Sequence, residues 1–264
     1  MEGVALVAFA LIGIVAGFLA GLLGIGGGII IVPSLILIFH LLGMPQAILV
    51  HMAIGTSLAS IIITTGVATF AHHKKKGVIW DVVFLMFPGI FLGCLLGGFF
   101  ANYLSGIFLQ IIFALFILVL GALMVRPRKK PKKPQKKPEK AFLTWTGLGI
   151  GAIASMLGIS GGVFTAPLLM GCQYPEKRAI GTSSAIGFMV TVFGALTYLY
   201  FGRADVHVAD SVGYLYLPAL ILIGVAAVIS TPFGVKFAHQ IDGKKLRKIF
   251  AAMLIIVGII MLFN

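Results

Sequence analysis

Two short stretches place glycine and hydroxyl residues where they could hold an anion without any basic side chain. The first is Gly24-Ile25-Gly26-Gly27-Gly28, and the second is Gly158-Ile159-Ser160-Gly161-Gly162. Each lies between two apolar segments, with Pro33 or Pro167 five residues beyond its last glycine. Glycine inside a helix costs about 1 kcal/mol relative to alanine, so such a cluster breaks the helix. Broken backbone at membrane depth is tolerated only when it is buried in protein or lines a wet cavity. The helix that starts after the break turns free N–H groups and its positive dipole end toward it, which suits an anion. The competing reading is packing alone. Gly13, Gly17 and Gly21 recur every four residues, as do Gly147, Gly151 and Ser155, and that spacing makes a face on which helices approach closely.

The second pair is Gly55-Thr56-Ser57 with Gly181-Thr182-Ser183. Adjacent hydroxyls can donate to an oxyanion, or they can bond the carbonyls of their own helix. Both readings stay open. The candidate substrate-binding set is therefore Gly24, Gly26, Gly27, Gly28, Thr56, Ser57, Gly158, Ser160, Gly161, Gly162, Thr182 and Ser183.

Other chemistries find little support. No Asp or Glu lies deep in an apolar segment, and Asp81 stands near a segment start, which argues against a carboxylate proton relay. His40 and His51 lie near segment ends and read as interfacial residues. Tyr198, Tyr200, Tyr214, Tyr216 and Trp80 flank loops, as interfacial anchors do. Cys94 and Cys172 have no metal-ligand spacing and read as packing residues. No nucleophile–base pair is evident, and the glycine run lacks the Gly-Lys-Ser/Thr ending of a phosphate-binding loop. Neither an enzyme nor a cofactor or metal is expected.

The elements that must position these residues are membrane helices. Of the 264 residues 60% are hydrophobic and 10% charged, against about 45–50% and about 25% in soluble domains. Several apolar runs approach or exceed the roughly 20 residues that cross a bilayer. The net charge of +13 could suggest a nucleic-acid partner. The basic residues, however, sit in short segments between apolar runs and do not spread over a folded face, so they read as cytoplasmic anchors. The chain starts Met-Glu-Gly with no basic leader, so its first apolar run reads as a spanning helix.

The two halves are copies. Gly13–Leu35 laid over Gly147–Leu169 matches at ten of 23 positions, and Ala53–Ser57 recurs as Ala179–Ser183, with Thr65 falling on Thr191. Five apolar segments are expected per half: 3–23, 29–42, 47–71, 78–100 and 106–125, then 142–157, 162–173, 178–201, 211–235 and 245–263. Between the halves, Arg126–Lys140 holds nine basic residues and four prolines and reads as an extended, solvated linker. The expected units are residues 1–125 and 141–264, joined by the cytoplasmic linker 126–140. With every segment crossing, 19 of the 20 Lys and Arg fall on one side, and only Arg203 falls on the other. The positive-inside rule then puts both termini outside the cytoplasm. Five crossings are odd, so the halves have opposite orientation. The fold class expected is an all-α integral membrane protein of about ten transmembrane helices, arranged as two inverted five-helix repeats with short or broken helices at the glycine motifs. A rival count, in which 29–42 and 162–173 do not cross, splits the basic residues between the two sides.

The paired motifs Gly21-Leu22-Leu23-Gly24-Ile25-Gly26-Gly27-Gly28 and Met156-Leu157-Gly158-Ile159-Ser160-Gly161-Gly162, each with its following proline, resemble the TauE/SafE family of sulfite and organosulfonate exporters. The Ala-Ile-Gly-Thr-Ser repeat does too. The resemblance covers the chain outside the basic linker. It implies export of a small sulfur-containing anion, such as sulfite, sulfoacetate or a related organosulfonate, from a bacterial inner membrane. The expected partners are that anion and the lipid bilayer, with no nucleic acid; a homo-oligomer stays open. From the residues alone, an anion channel of the same architecture and a non-transporting scaffold remain alternatives.

Overall fold

A computed structural model describes residues 2–23, 26–125, 138–202, 208–238 and 243–263. Gly24, most of the linker, and Arg203 with its neighbours to His207 lie outside the described residues. A helix forms at each apolar segment. The first half holds α1 (Glu2–Leu23), α2 (Gly28–Leu41), α3 (Gln46–Lys74), α4 (Trp80–Tyr103) and α5 (Gly106–Val125). The second holds α6 (Lys140–Leu157), α7 (Gly162–Gly171), α8 (Glu176–Phe201), α9 (Leu217–Ala238) and α10 (Gly243–Phe263). Seven of these are long and apolar enough to cross a membrane. α2 and α7 are shorter, at 14 and 10 residues. At about 1.5 Å per residue, neither matches the roughly 30 Å of a hydrocarbon core.

One described boundary departs from the sequence expectation by more than three residues. The ninth helix starts at Leu217, not at 211, because Ser211–Val212 (β1) and Leu215–Tyr216 (β2) pair as an antiparallel hairpin. Its turn uses Gly213 at φ +59°, a conformation that glycine adopts freely.

Large apolar side chains cover the outside of the molecule, among them Leu11 and Val15 on α1, Leu92 on α4, Leu115 and Val119 on α5, and Val225 on α9. Such a surface is far larger than the apolar patches of soluble monomers and suits lipid. The interior carries the hydroxyls. Thr56, Ser57, Ser60, Thr64 and Thr65 on α3, and Thr182, Ser183, Thr191 and Thr197 on α8, are all buried. The chain is thus a multi-pass membrane protein with a polar centre.

Glycine faces set the outer packing. A Cβ added to Gly13 would lie 2.6 Å from the Ile223 carbonyl, and one on Gly17 would strike the Ala227 carbonyl, so α1 runs alongside α9 in the same direction. In the same way Gly89, Gly93 and Gly97 of α4 abut the backbone of Thr144, Leu148 and Ala152 of α6. Gly147 and Gly151 return the contact, 2.7 Å from the Met86 carbonyl and 2.6 Å from the Ile90 carbonyl. The Gly13/Gly17 and Gly147/Gly151 faces are thus packing faces, and α4 supplies a third whose four-residue spacing was legible but unread. α3 crosses α8 in the opposite sense, with Gly66 against Phe188 and Leu58 against Gly194, while α5 pairs antiparallel with α10.

These pairings bring chain segments to two opposite ends of the molecule. At one end, Phe9 of α1, Phe39 at the close of α2 and Tyr216 of the hairpin meet with ring centroids 5.5–6.4 Å apart. Tyr214 Oη donates to Asn102 Oδ1 at 3.3 Å, and Gln110 Nε2 donates to the Met261 carbonyl at 2.9 Å, so the ends of α4 and α10 are here too. At the other end, the turn around Gly77 packs on Gly181 near the start of α8. Thr144 Oγ1, near the start of α6, donates to the Leu85 carbonyl at 2.9 Å.

Candidate functional site

The two glycine breaks meet. A Cβ built on Gly28, the first residue of α2, would lie 2.7 Å from the Gly158 carbonyl and 2.9 Å from Ile159 Cα. One built on Gly26 would lie 2.5 Å from Ser160 Oγ. Gly26 and Ser160 are equivalent positions in the repeat, so each break touches the other at its own counterpart. Both Gly26 (φ +67°) and Gly158 (φ +68°) are left-handed. Gly158 closes α6 in that conformation, with its N–H returned to the Ser155 carbonyl at 3.3 Å. A side chain there would be strained, and it would also meet Val32 Cγ2 at 2.8 Å.

From this contact α2 and α7 lead away to opposite ends. α2 closes beside Phe9, and α7 leads through residues 172–175 to the start of α8. Their N-termini therefore converge on the breaks. Gly27 and Gly161 occupy the two N-cap positions, and neither helix has a side-chain cap. Among the described residues the amides of Gly161 and Gly162 make no backbone hydrogen bond. Gly27, Gly28 and the whole run Gly158 to Gly162 are buried. Two uncapped helix starts, each worth up to about half a positive charge, thus face one point in the interior. Gly187 of α8 lies over Ser160 and Gly162, and Ile61 of α3 lies over Gly26 and Gly28. Gly187 was not singled out from sequence, since nothing in its local spacing marks it.

The four motif hydroxyls divide into two kinds. Ser57 reaches the opposite break, donating to the Gly158 carbonyl at 2.8 Å. Ser183 donates to the Ile180 carbonyl of its own helix at 2.8 Å. Thr56 and Thr182 accept backbone amides. Tyr216 N, one residue before α9, donates to Thr56 Oγ1 at 2.9 Å, and Ile79 N, one residue before α4, donates to Thr182 Oγ1 at 2.9 Å. The adjoining glycines make room for the same two segments. A Cβ on Gly55 would lie 2.7 Å from the Tyr214 carbonyl, and one on Gly181 would strike the Gly77 carbonyl. Each Gly-Thr pair therefore pins the chain entering a helix, one pair at each end of the molecule. Gly26, Gly27, Gly28, Ser57, Gly158, Ser160, Gly161 and Gly162 gather at the centre. Gly24 lies outside the described residues.

The centre is closed. A void beside Gly27, bordered by Ala16, Gly17, Ala20, Ser60 and Thr64, is too narrow for a water molecule.

The family model of the sulfite exporter TauE/SafE matches residues 9–261. The chain belongs to the TauE/SafE family. It is 34% identical to a "probable membrane transporter protein" of Haemophilus influenzae, over 94% of this chain and 95% of the relative. A relative with a similar name from Methanocaldococcus jannaschii is 26% identical, over 96% of this chain and 93% of its own length. Another from Bacillus subtilis is 26% identical, over 94% and 93%. No solved structure matches the chain. The backbone at the breaks is enclosed by helices α3, α6 and α8.

Proposed function

We propose that the chain is a secondary transporter that exports a small sulfur-containing anion, of the class of sulfite, sulfoacetate or a related organosulfonate, by alternating access. One observation carries this reading: the two uncapped helix starts meet at Gly26 and Ser160 in the interior. Amides and helix dipoles aimed at one buried point favour an anion and offer little to a cation. The oxyanion would sit between the breaks once they separate, taking the amides of Gly161 and Gly162 and the hydroxyl of Ser57. The family match supplies the sulfur chemistry.

The same contacts support inverted repeats, 1–125 and 141–264, joined by 126–140. α1 and α9 run together from one end, α4 and α6 run together from the other, and α2 and α7 point apart. Every Lys and Arg whose side chain is described, from Lys74 to Lys236, falls at the end that holds the Gly77 turn. This distribution favours a cytoplasmic position for that end in a bacterial inner membrane, with both termini outside. Thr56 and Thr182 then pin the outer and inner closures, and rocking of one half against the other would release them in turn. An interior-negative potential drives anion efflux by about 2.3 kcal/mol per charge per 100 mV.

Thermal unfolding of the purified protein against sulfite, sulfoacetate, sulfate and chloride tests the anion class. A ligand about a hundredfold above its Kd adds about 2.7 kcal/mol of stability. Flux from anion-loaded liposomes tests transport. No shift and no flux with any sulfur oxyanion would remove the reading. A channel is disfavoured by the closed centre, and counterflow of labelled anion separates the two, since only a carrier exchanges.

A further inference from the structure

His51 is a buried imidazole that the anion site does not use. It sits near the start of α3, with 4% of its surface exposed, so it is not the interfacial residue that its position near a segment end suggests. Its Nε2 lies 2.9 Å from the Ala101 carbonyl at the close of α4. A carbonyl can only accept, so Nε2 carries the ring proton and Nδ1 holds a bare lone pair. Among the described residues that Nδ1 makes no hydrogen bond. Tyr214 of the hairpin stacks on the ring, with centroids 5.3 Å apart and planes 29° from parallel. Tyr198 of α8 packs edge-on against Tyr214 at 6.3 Å, and among the described residues its buried hydroxyl makes no hydrogen bond. Two buried polar atoms that make no hydrogen bond among the described residues therefore lie beside one tyrosine of the outer closure.

The repeat sharpens the point. The position equivalent to His51 is Lys177, which is exposed at the other end. An ionisable group buried at one end and solvated at the other is a departure from symmetry inside a membrane protein, where such groups are seldom kept without use.

We propose that His51 is a proton-binding site that opens the outer closure. A proton from external water adds to the Nδ1 lone pair and gives an imidazolium with both nitrogens protonated, and it returns to water when the pH rises. The titratable group facing the ring is the phenol of Tyr214, against which that of Tyr198 packs. α4 presents the Ala101 carbonyl and the neutral Asn102, and the backbone of Ala47 and Leu104 also borders the ring. Among the described residues no carboxylate pairs with His51. A buried cation without a counter-ion loses more in solvation than stacking on one phenol returns. Protonation thus favours the state in which Tyr214 lifts, Tyr216 N leaves Thr56 and water reaches the imidazole. The consequence for export rests on the transport reading above, whereas the proton site does not.

The test places Leu215→Cys, buried under the closed hairpin, in the full chain with Cys172→Ser, in liposomes. A membrane-impermeant thiol reagent is applied from outside between about pH 8 and about pH 5.5, the range of imidazole titration, with rates normalised to free cysteine. Labelling is expected to rise several-fold on acidification, and the rise is expected to vanish with His51→Gln. A flat rate, or an equal rise in His51→Gln, overturns the proposal. If His51→Gln does not fold, a variant with His40, His72, His73, His207 and His239 changed to Gln leaves His51 as the sole imidazole for 15N spectroscopy. Nδ1 is expected to protonate across the same range, and an Nδ1 that stays bare throughout overturns the proposal. Anion flux is read in the same vesicles. Acid-dependent labelling without flux keeps the proton site and removes transport, while flux without acid-dependent labelling does the reverse.

Discussion

Thr65 Oγ1 lies 3.4 Å from Thr191 Oγ1, and the two are the same position in the two halves of the chain. In the proposed inverted-repeat arrangement, a residue that touches its own counterpart sits on the axis relating the copies. Gly26 and Ser160 also meet at the glycine breaks, so in the proposed inverted arrangement the axis passes through the proposed anion site. Each threonine also donates to its own helix, Thr65 to the Ile61 carbonyl at 2.8 Å and Thr191 to the Phe188 carbonyl at 2.9 Å. Thr65→Val and Thr191→Val should therefore each cost only about 1 kcal/mol. Thr65→Leu and Thr191→Leu add volume at the crossing of α3 and α8 and should each cost about 1–3 kcal/mol. The two sides should respond alike, and thermal unfolding in detergent measures this. A large disparity would show that the axis lies elsewhere.

Gly158 tests whether the break is built for glycine. Gly158→Ala places a Cβ at φ +68°, 2.8 Å from Val32 Cγ2 and 3.1 Å from Ile54 Cα. We expect a loss of about 1–3 kcal/mol from strain and overpacking, with loss of any anion-dependent thermal shift. Gly149→Ala is the comparison, since Gly149 lies within α6 and a Cβ there meets nothing within 4 Å. It should be neutral, or stabilising by up to about 1 kcal/mol.

Thr56 and Thr182 should act on opposite ends. Thr56→Val leaves Tyr216 N without its acceptor, and Thr182→Val does the same to Ile79 N. Taking the acceptor from a part-buried donor costs up to about 1–3 kcal/mol. Thr56→Val should raise thiol labelling at Leu215→Cys and leave Val78→Cys unchanged, and Thr182→Val should do the opposite. Thr→Ser at either position should restore the native rate. Equal effects at both ends would mean general loosening and not two separate closures.

The orientation is open to direct measurement. Lys75→Cys should react only with reagent that reaches the cytoplasm, and Val212→Cys should react from outside, since both side chains are exposed. The opposite result would reverse the sidedness and turn the proposed outer closure into an inner one.

Much of the architecture was legible in the chain itself. Hydropathy marks the helices because the bilayer leaves a backbone few other ways to satisfy its polar groups. Duplication is visible because Gly24 to Gly28 and Gly158 to Gly162 keep their spacing to the following proline, and the Gly13/Gly17 face announces close packing by its period of four. The start of α9 was misplaced because residues 211–216 are apolar enough to continue a helix, while the pairing of Ser211 with Tyr216 that makes them a hairpin is not written in periodicity. Tertiary structure alone decided what the hydroxyls do. Thr56 and Ser57 are neighbours in one motif, yet one accepts from Tyr216, 160 residues away, and the other donates to Gly158, 101 residues away. The same holds for His51, an unremarkable residue near a segment end until Ala101 and Tyr214 enclose it. Local sequence fixes which groups are polar and how deep they lie. Only the packing of distant helices fixes which of those groups find partners, and the buried atoms left without one are where ligands and protons can act.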